Sequence, residues 1–145
     1  MSPGGSVAIV ENFWNEVWKQ PQNPEAIDRL VHEDFVLTSG GHCIKSRTEF
    51  KQWVKTFQSL VEDFQFHVVE TFQNQDGSRV ASRWRIEGRN RGLMGTKPNG
   101  VPFGMTGTAV FDVDDDGLLR HNWVERNAFE VYGLISGNDG RKNVF

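Results

Sequence analysis

The chain predicts an α+β domain with helices packed on one side of a curved, mainly antiparallel sheet. Three observations lead there. Apolar residues recur at three- and four-residue spacings only as far as Val61; from Phe64 onward the period is two; and the two-residue-period segments are separated by acidic-glycine turn signals at Asp76-Gly77 and Asp114 to Gly117.

The elements follow in order. Ser6 is placed to cap a helix whose stripe of Val7, Val10, Phe13, Trp14, Val17 and Trp18 ends before Pro21. Pro24 suits the first turn of a short second helix carrying Ala26, Ile27, Leu30 and Val31. Phe35 to Leu37 reads as a short extended piece, followed by a Gly40-Gly41 turn. Ser46 with Glu49 three residues on forms a capping box for a third helix bearing Phe50, Trp53, Val54, Phe57, Leu60 and Val61. Strands are then expected over 64–72, from Arg79 to about Asn90, over 105–113, and as one long strand over 118–132. In the second of these, Val80, Ser82, Trp84, Ile86, Gly88 and Asn90 face the core, and the arginine-rich register faces water or a partner. The Gly- and Pro-rich stretch 92–104 carries Leu93, Met94, Val101 and Phe103, as a loop folding over a cavity mouth does.

Composition narrows the function classes. With 145 residues, the chain reads as one domain over 1–145, with an ordered core of about 6–135 and a flexible tail over 136–145. A net charge of -3 gives no basis for a nucleic-acid partner, despite the local run of Arg83, Arg85, Arg89 and Arg91. No apolar run approaches a membrane span, so no membrane partner is expected. The start lacks the basic and long apolar regions of a secretory signal, so a cytoplasmic location is the expectation. A single cysteine, Cys43, allows neither an intrachain disulfide nor a multi-cysteine metal site. The acidic runs at His32-Glu33-Asp34 and Asp114 to Asp116 lack converging ligand spacing, and no glycine-rich loop opens a helix. We therefore expect no metal and no cofactor.

The last strand is the most informative segment. Period two puts His121, Trp123, Glu125, Asn127 and Phe129 on one face, and Arg120, Asn122, Val124, Arg126 and Ala128 on the other. The first is the more aromatic face and is assigned inward. Glu125 would then sit in a poorly solvated place beside a tryptophan, with its pKa raised toward proton-transfer range. Glu125 is the candidate catalytic base, with a buried ion pair to arginine as the alternative reading, and His121 is its candidate assistant. His42 is a candidate rim group; His32 is a weaker one. Trp14, Phe35, Trp84 and Trp123 are expected to line the pocket.

The order of elements, the Gly88-Arg-Asn-Arg-Gly92 segment, the Gly/Pro loop into an apolar strand, the acidic-glycine turn and the run Asn122-Trp123-Val-Glu-Arg-Asn127 together resemble the SnoaL-like polyketide cyclase family. The likeness runs from about Val7 to Tyr132 and is strongest from Arg83 onward. It implies the cone-shaped, nuclear transport factor 2-like fold and a homodimer through the outer sheet face, where Arg83, Arg85, Glu87 and Arg126 could form ion pairs between subunits. The family's pocket histidine and its acid/base aspartate fall on Asn90 and Asn127 here, so these two residues are expected to orient a ligand by hydrogen bonding.

Two functional expectations follow. One is a cofactor-independent cyclase or isomerase, or a dehydratase-type lyase, acting on an apolar polyketide- or terpenoid-like carbonyl compound, with Glu125 moving the proton. The other is a noncatalytic small-molecule-binding module. Epoxide hydrolysis would require Glu125 and Arg83 to converge on one water.

Overall fold

The computed structural model describes residues 5–137, so most of the expected tail lies outside the described residues. Helix α1, Gly5–Phe13, continues into a π-helical turn, Trp14–Trp18, that keeps Val10, Phe13, Trp14, Val17 and Trp18 buried as the stripe requires. Ser6 lies inside the first turn rather than before it. Its hydroxyl donates to the Gly77 carbonyl at 2.6 Å, tying the helix to the turn between two strands. A single 3-10 turn, Pro24–Ala26, leads into the four-residue α2, Ile27–Leu30. Ser46 caps α3, Arg47–Ser59, by accepting from the Glu49 backbone N–H at 3.2 Å, as the sequence predicts.

Six strands form one sheet: β1 (Val31–Ser39), β2 (His42–Lys45), β3 (Val61–Gln73), β4 (Arg79–Asn90), β5 (Pro102–Val113) and β6 (Leu119–Arg126), in the order β2-β1-β6-β5-β4-β3. All neighbours are antiparallel except β1 and β6. The extended piece around Phe35 is thus a nine-residue strand, and β2 adds a short edge beyond the Gly40-Gly41 turn. The helices cover the inner face of this curved sheet, and the core of Phe13, Phe35, Phe50, Phe111, Met105 and Leu119 fills the space between.

The chain does not stay extended to Tyr132. Strand β6 ends at Arg126 and a helix, α4 (Ala128–Ile135), follows. Val131, Gly133 and Ile135 are its buried residues, and the backbone N–H of Val131 donates to the Asn127 carbonyl at 3.1 Å as the helix begins. The Asn99 side chain donates to the Ile135 carbonyl at 2.8 Å and holds the end of α4 against the loop.

Two strands change facing direction partway. In β3 the register slips between Val68 and Glu70, so Phe64, Phe66 and Val68 face inward, while beyond Val69 the inward positions become Thr71 and Gln73. In β6 the register slips after Leu119: Leu119 pairs with Val113 but His121 pairs with Asp112. Each slip is a β-bulge, and each exchanges the inner and outer sets from that point on. Strand β4 carries no such break in its pairing with β5, and its buried residues are Val80, Ser82, Trp84, Ile86 and Asn90.

Candidate functional site

The bulge decides what β6 offers to the interior. After it, the buried residues are Asn122 and Val124, with Arg126 half-buried on the same side. Trp123 and Glu125 are exposed on the outer face; His121, half-buried, lies there too. The expected inward face is therefore the outward one. The aromatic register was expected inward; Leu119 does point in, but the bulge between it and His121 turns the rest of that register outward.

The interior face builds an aromatic cavity. Trp14, Trp18, Trp53, Phe57, Phe66 and Trp84 form its walls, with Leu37, Ile86 and Val124 beside them. Its volume is about 50 Å³, and it is partly open to solvent. The rings pack in a chain: Trp14 to Phe66 at 4.8 Å, Phe66 to Trp84 at 6.0 Å, Trp18 to Phe57 at 5.8 Å and Phe57 to Trp53 at 5.4 Å. Such packing fixes the wall in place, because each ring is held by its neighbours. A second cleft, of about 190 Å³, lies under the short turn Leu93–Gly95 and is lined by Leu60, Leu93, Met94 and Met105. Trp53, Phe57 and Arg126 border both spaces.

Polar groups on this lining divide into satisfied and unsatisfied. The Trp14 indole N–H donates to the Ser82 hydroxyl at 2.9 Å, and Ser82 bonds Thr71 at 2.9 Å. The Trp84 indole N–H and the Asn122 side-chain oxygen are buried, each residue only 7% exposed, and have no hydrogen-bond partner. Arg126 has no carboxylate partner among the described residues. Its guanidinium lies over the rings of Trp53 and Phe57 at 5.8 and 5.7 Å, and its Nη1 approaches the Met105 sulfur at 3.8 Å. Burial lowers its pKa below the ordinary guanidinium range. An arginine stays charged under such a shift, so the cavity mouth carries an uncompensated cation.

Trp84 is positioned by a glycine. Gly107 pairs with Trp84 on β4 and with Arg126 on β6. A Cβ at Gly107 would lie 2.2 to 2.7 Å from three carbons of the indole, including 2.5 Å from the carbon that bears the N–H. The ring thus lies against Gly107 in space that any side chain there would fill.

The remaining candidate residues go elsewhere. Asn90 is 2% exposed and fully engaged: its amide nitrogen donates to Thr96 Oγ1, the Lys97 carbonyl and Asn99 Oδ1 at 2.9 to 3.0 Å, and its oxygen accepts from the backbone N–H groups of Gly92 and Leu93. It staples the 91–101 loop and has no hydrogen-bonding capacity left for a ligand. Asn127 accepts from the Thr106 N–H at 3.0 Å and ends the β5–β6 pairing. Phe35 packs on Phe50 at 4.5 Å in the solid core. Trp123 stacks on His121 at 3.9 Å, and His121 bonds the Thr38 hydroxyl at 2.8 Å, all on the outer face. The pKa of His121 is lowered, chiefly by burial. His42 is exposed at the start of β2. Of the predicted lining, Trp14 and Trp84 reach the cavity; Asn122, Val124, Arg126 and the aromatics of α3 were missed. The stripe of Phe50, Trp53 and Phe57 was visible in the sequence as core, and nothing in its spacing marks which rings border a void.

Glu125 lines an open groove of about 470 Å³ with Arg83, Thr106, Thr108 and Asn127, and Trp84 and Arg126 of the inner cavity reach it too. Arg83 pairs with Glu70 and Arg85 with Glu87 within the chain. Arg126, expected among these outer charges, is turned toward the interior by the bulge and borders both this groove and the inner cavity. Among the described residues no three His, Cys, Asp or Glu side chains cluster to hold a metal ion, and no helix is long and apolar enough to cross a membrane.

Comparison with known proteins agrees with this geometry. No curated protein matches the chain at a significant level. Among solved structures, a candidate SnoaL-like polyketide cyclase from Jannaschia sp. CCS1 superposes with a TM-score of 0.85 at 16% identity, covering 94% of this chain and 96% of that one. AclR from Streptomyces galilaeus, described as a candidate hydroxylase, gives 0.80 at 17% identity over 99% and 91%. A protein with a ketosteroid isomerase-like fold from Catenulispora acidiphila, solved with trimethylamine, gives 0.71 at 14% over 93% and 97%. These likenesses establish the fold. The family model of SnoaL-like polyketide cyclases matches residues 8–132, and the chain is a member of that family.

Proposed function

We propose that the chain binds a small, largely aromatic molecule between α3 and the inner sheet face, across the inner cavity and the cleft under Leu93 that adjoins it at Trp53, Phe57 and Arg126, and that it does so without acid-base chemistry there. One observation carries this reading: the cavity has unpartnered polar groups on an aromatic wall, yet its lining contains no carboxylate and no histidine. Arg126 is its only ionisable group, and a guanidinium cannot accept a substrate proton. Polar groups left unmet in a preformed apolar pocket suit recognition of a ligand that supplies the missing partners. The direct test uses tryptophan fluorescence, since Trp14, Trp18, Trp53 and Trp84 all border the cavity. Saturable quenching by a flat aromatic compound, abolished by filling the cavity with Val124→Trp, is expected; quenching that survives the filled variant would overturn the reading.

The cyclase or isomerase reading keeps one observation in its favour, the outer groove where Glu125 lies beside Arg83, Thr106 and Thr108. Proton transfer by Glu125 would then occur on the outer surface, outside the aromatic cavity. An epoxide-hydrolase role for the same two residues needs Arg83 to leave its ion pair with Glu70.

The outer face also supports a second copy of the chain as partner. Phe72, Ala81, Val110 and Trp123 pair in register across four strands and form an apolar row, with Phe72 55% and Trp123 38% exposed. Large exposed rings in one contiguous row mark an association surface. Phe72→Asp should convert a dimer to a monomer in light scattering; a wild-type monomer at all concentrations would exclude the partner.

A further inference from the structure

We infer that the ligand is an acid: a flat aromatic molecule carrying a carboxylate, or an ionised enol or phenol, held between the Trp84 indole N–H and the Arg126 guanidinium. This rests on the reading of the aromatic cavity as a ligand site and names the chemistry that fits it.

The argument is one of donors without acceptors. Trp84 on β4 and Arg126 on β6 flank Gly107 of the strand between them, the indole lies against that glycine where no side chain intervenes, and both residues line the inner cavity. An indole N–H and a guanidinium can only donate. The buried N–H has no acceptor, and the cation has no carboxylate among the described residues. Buried charge without a counter-ion is costly, and a protein retains it where a partner arrives from outside. Two donors on one aromatic wall call for an electron-rich oxygen, and the positive charge of one of them calls for an anion.

Volume assigns the two ends of the ligand. An apolar cavity of about 150 Å³ accommodates a benzene ring. The inner space, at about 50 Å³, is too small for a ring but holds the few atoms of a carboxylate. The cleft under Leu93 and Met94, at about 190 Å³, is large enough for one. Both open onto Arg126, Trp53 and Phe57. The acid group therefore points inward past Arg126 toward Trp84, and the ring rests against Met94, Met105 and Phe57. Asn122, with its unpartnered oxygen deeper in the inner space, suits a donor such as a hydroxyl next to the acid group.

The test compares benzoate with methyl benzoate by fluorescence titration of the full chain and of Arg126→Met and Arg126→Lys. Methionine keeps length and apolar packing against Trp53 and Phe57 but removes the charge. Benzoate is expected to bind at least about tenfold more tightly than its ester, a difference of about 1.4 kcal/mol. Arg126→Met should erase that preference by weakening benzoate alone, and Arg126→Lys should retain part of it. Circular dichroism confirms that each variant folds. Equal binding of acid and ester by the wild type, or a preference that survives Arg126→Met, overturns the inference and leaves the cavity reading standing. If neither probe binds the wild type, the cavity reading fails and the inference fails with it.

Discussion

The two faces of β6 carry similar residue types in opposite physical states. On the outer face His121 is stacked on Trp123 and bonded to Thr38, Trp123 also receives the Arg79 guanidinium at 5.5 Å, and Glu125 is exposed to water. On the inner face Asn122 has an oxygen without a partner and Arg126 a charge without a counter-ion. Water screens and satisfies the first set at little cost, whereas the second set carries a standing penalty inside the fold. Polar residues that are expensive where they stand are better candidates for a binding role than polar residues that are cheap. On this criterion the site belongs to Asn122 and Arg126, although His121 and Glu125 are the more familiar catalytic residue types.

The sharpest way to break the inner face is through the glycine beneath Trp84. Gly107→Ala inserts a methyl 2.2 Å from the indole, too close for any relaxed contact, and the rigid ring must shift as a whole. Overpacking of this kind costs about 2 to 3 kcal/mol. We expect a loss of that size in urea unfolding together with lost ligand binding. The equivalent change at exposed outer positions of β5, Thr106→Ala or Thr108→Ala, should stay within about 0.5 kcal/mol. A Gly107→Ala protein of unchanged stability would mean that the wall is soft and does not hold Trp84 in place.

Asn122→Leu tests the same face with the opposite sign. It replaces an amide bearing an unpartnered buried oxygen by an apolar group of similar size, which is neutral or stabilising where the polar atom has no native partner. A gain of about 1 kcal/mol in unfolding free energy is expected, alongside weaker binding of ligands with a donor beside the acid group. A loss of stability would show that the amide does structural work and would remove it from the site.

The parts of this molecule that were legible in sequence are those where one local rule operates without interruption. The Ser46 cap, the α3 stripe and all of β4 follow directly from spacing, because an unbroken helix or strand preserves its phase. The site was misread where phase is lost. One extra residue at Arg120 sends His121 and Glu125 out and Asn122 and Arg126 in, and within the strand itself, Leu119 to Arg126, no glycine or proline announces a bulge. The end of β6 was missed for a related reason: Ala128 to Ile135 is as apolar as a strand, and its buried residues Val131, Gly133 and Ile135 alternate as a strand's would, so spacing does not announce the helix. Asn90 was read as a ligand group because an amide on a core face is suited to that role, but the loop it staples lies ahead of it in the chain and its five bonds form only in three dimensions. The resemblance to the family fixed the fold despite these slips, since layout survives a local inversion of faces.

The outer face should respond weakly, and its largest response is to pH. Burial, with a smaller contribution from the Arg79 charge, lowers the His121 pKa below its ordinary value of 6.5, while Asp112 opposes the shift. The unfolded chain therefore takes up this proton at higher pH than the folded one. The corresponding stability is present above pH 6.5 and is lost as pH falls through the lowered folded value. Thermal midpoints should fall on acidification below pH 6.5, and His121→Gln should flatten that part of the curve while leaving ligand affinity unchanged. A binding constant that followed the titration of His121 would couple the two faces and break their separation.

The smallest effect is expected at the residue that first drew attention. Glu125 is exposed, stands across from Thr108 on the neighbouring strand, and makes no ion pair among the described residues. Glu125→Gln keeps its size and removes only a charge that water already solvates, so stability should change by less than about 0.5 kcal/mol. Binding in the aromatic cavity should change little: Glu125 and Arg126 both border the outer groove, but Glu125 does not line the cavity and makes no ion pair with the guanidinium among the described residues. The informative result would be a split: cavity binding intact, but conversion of a carbonyl substrate lost. That would assign chemistry to the groove of Glu125, Arg83 and Thr108 and reduce the inner cavity to a second site, and the cost criterion that favours the inner face would then have identified recognition while missing catalysis.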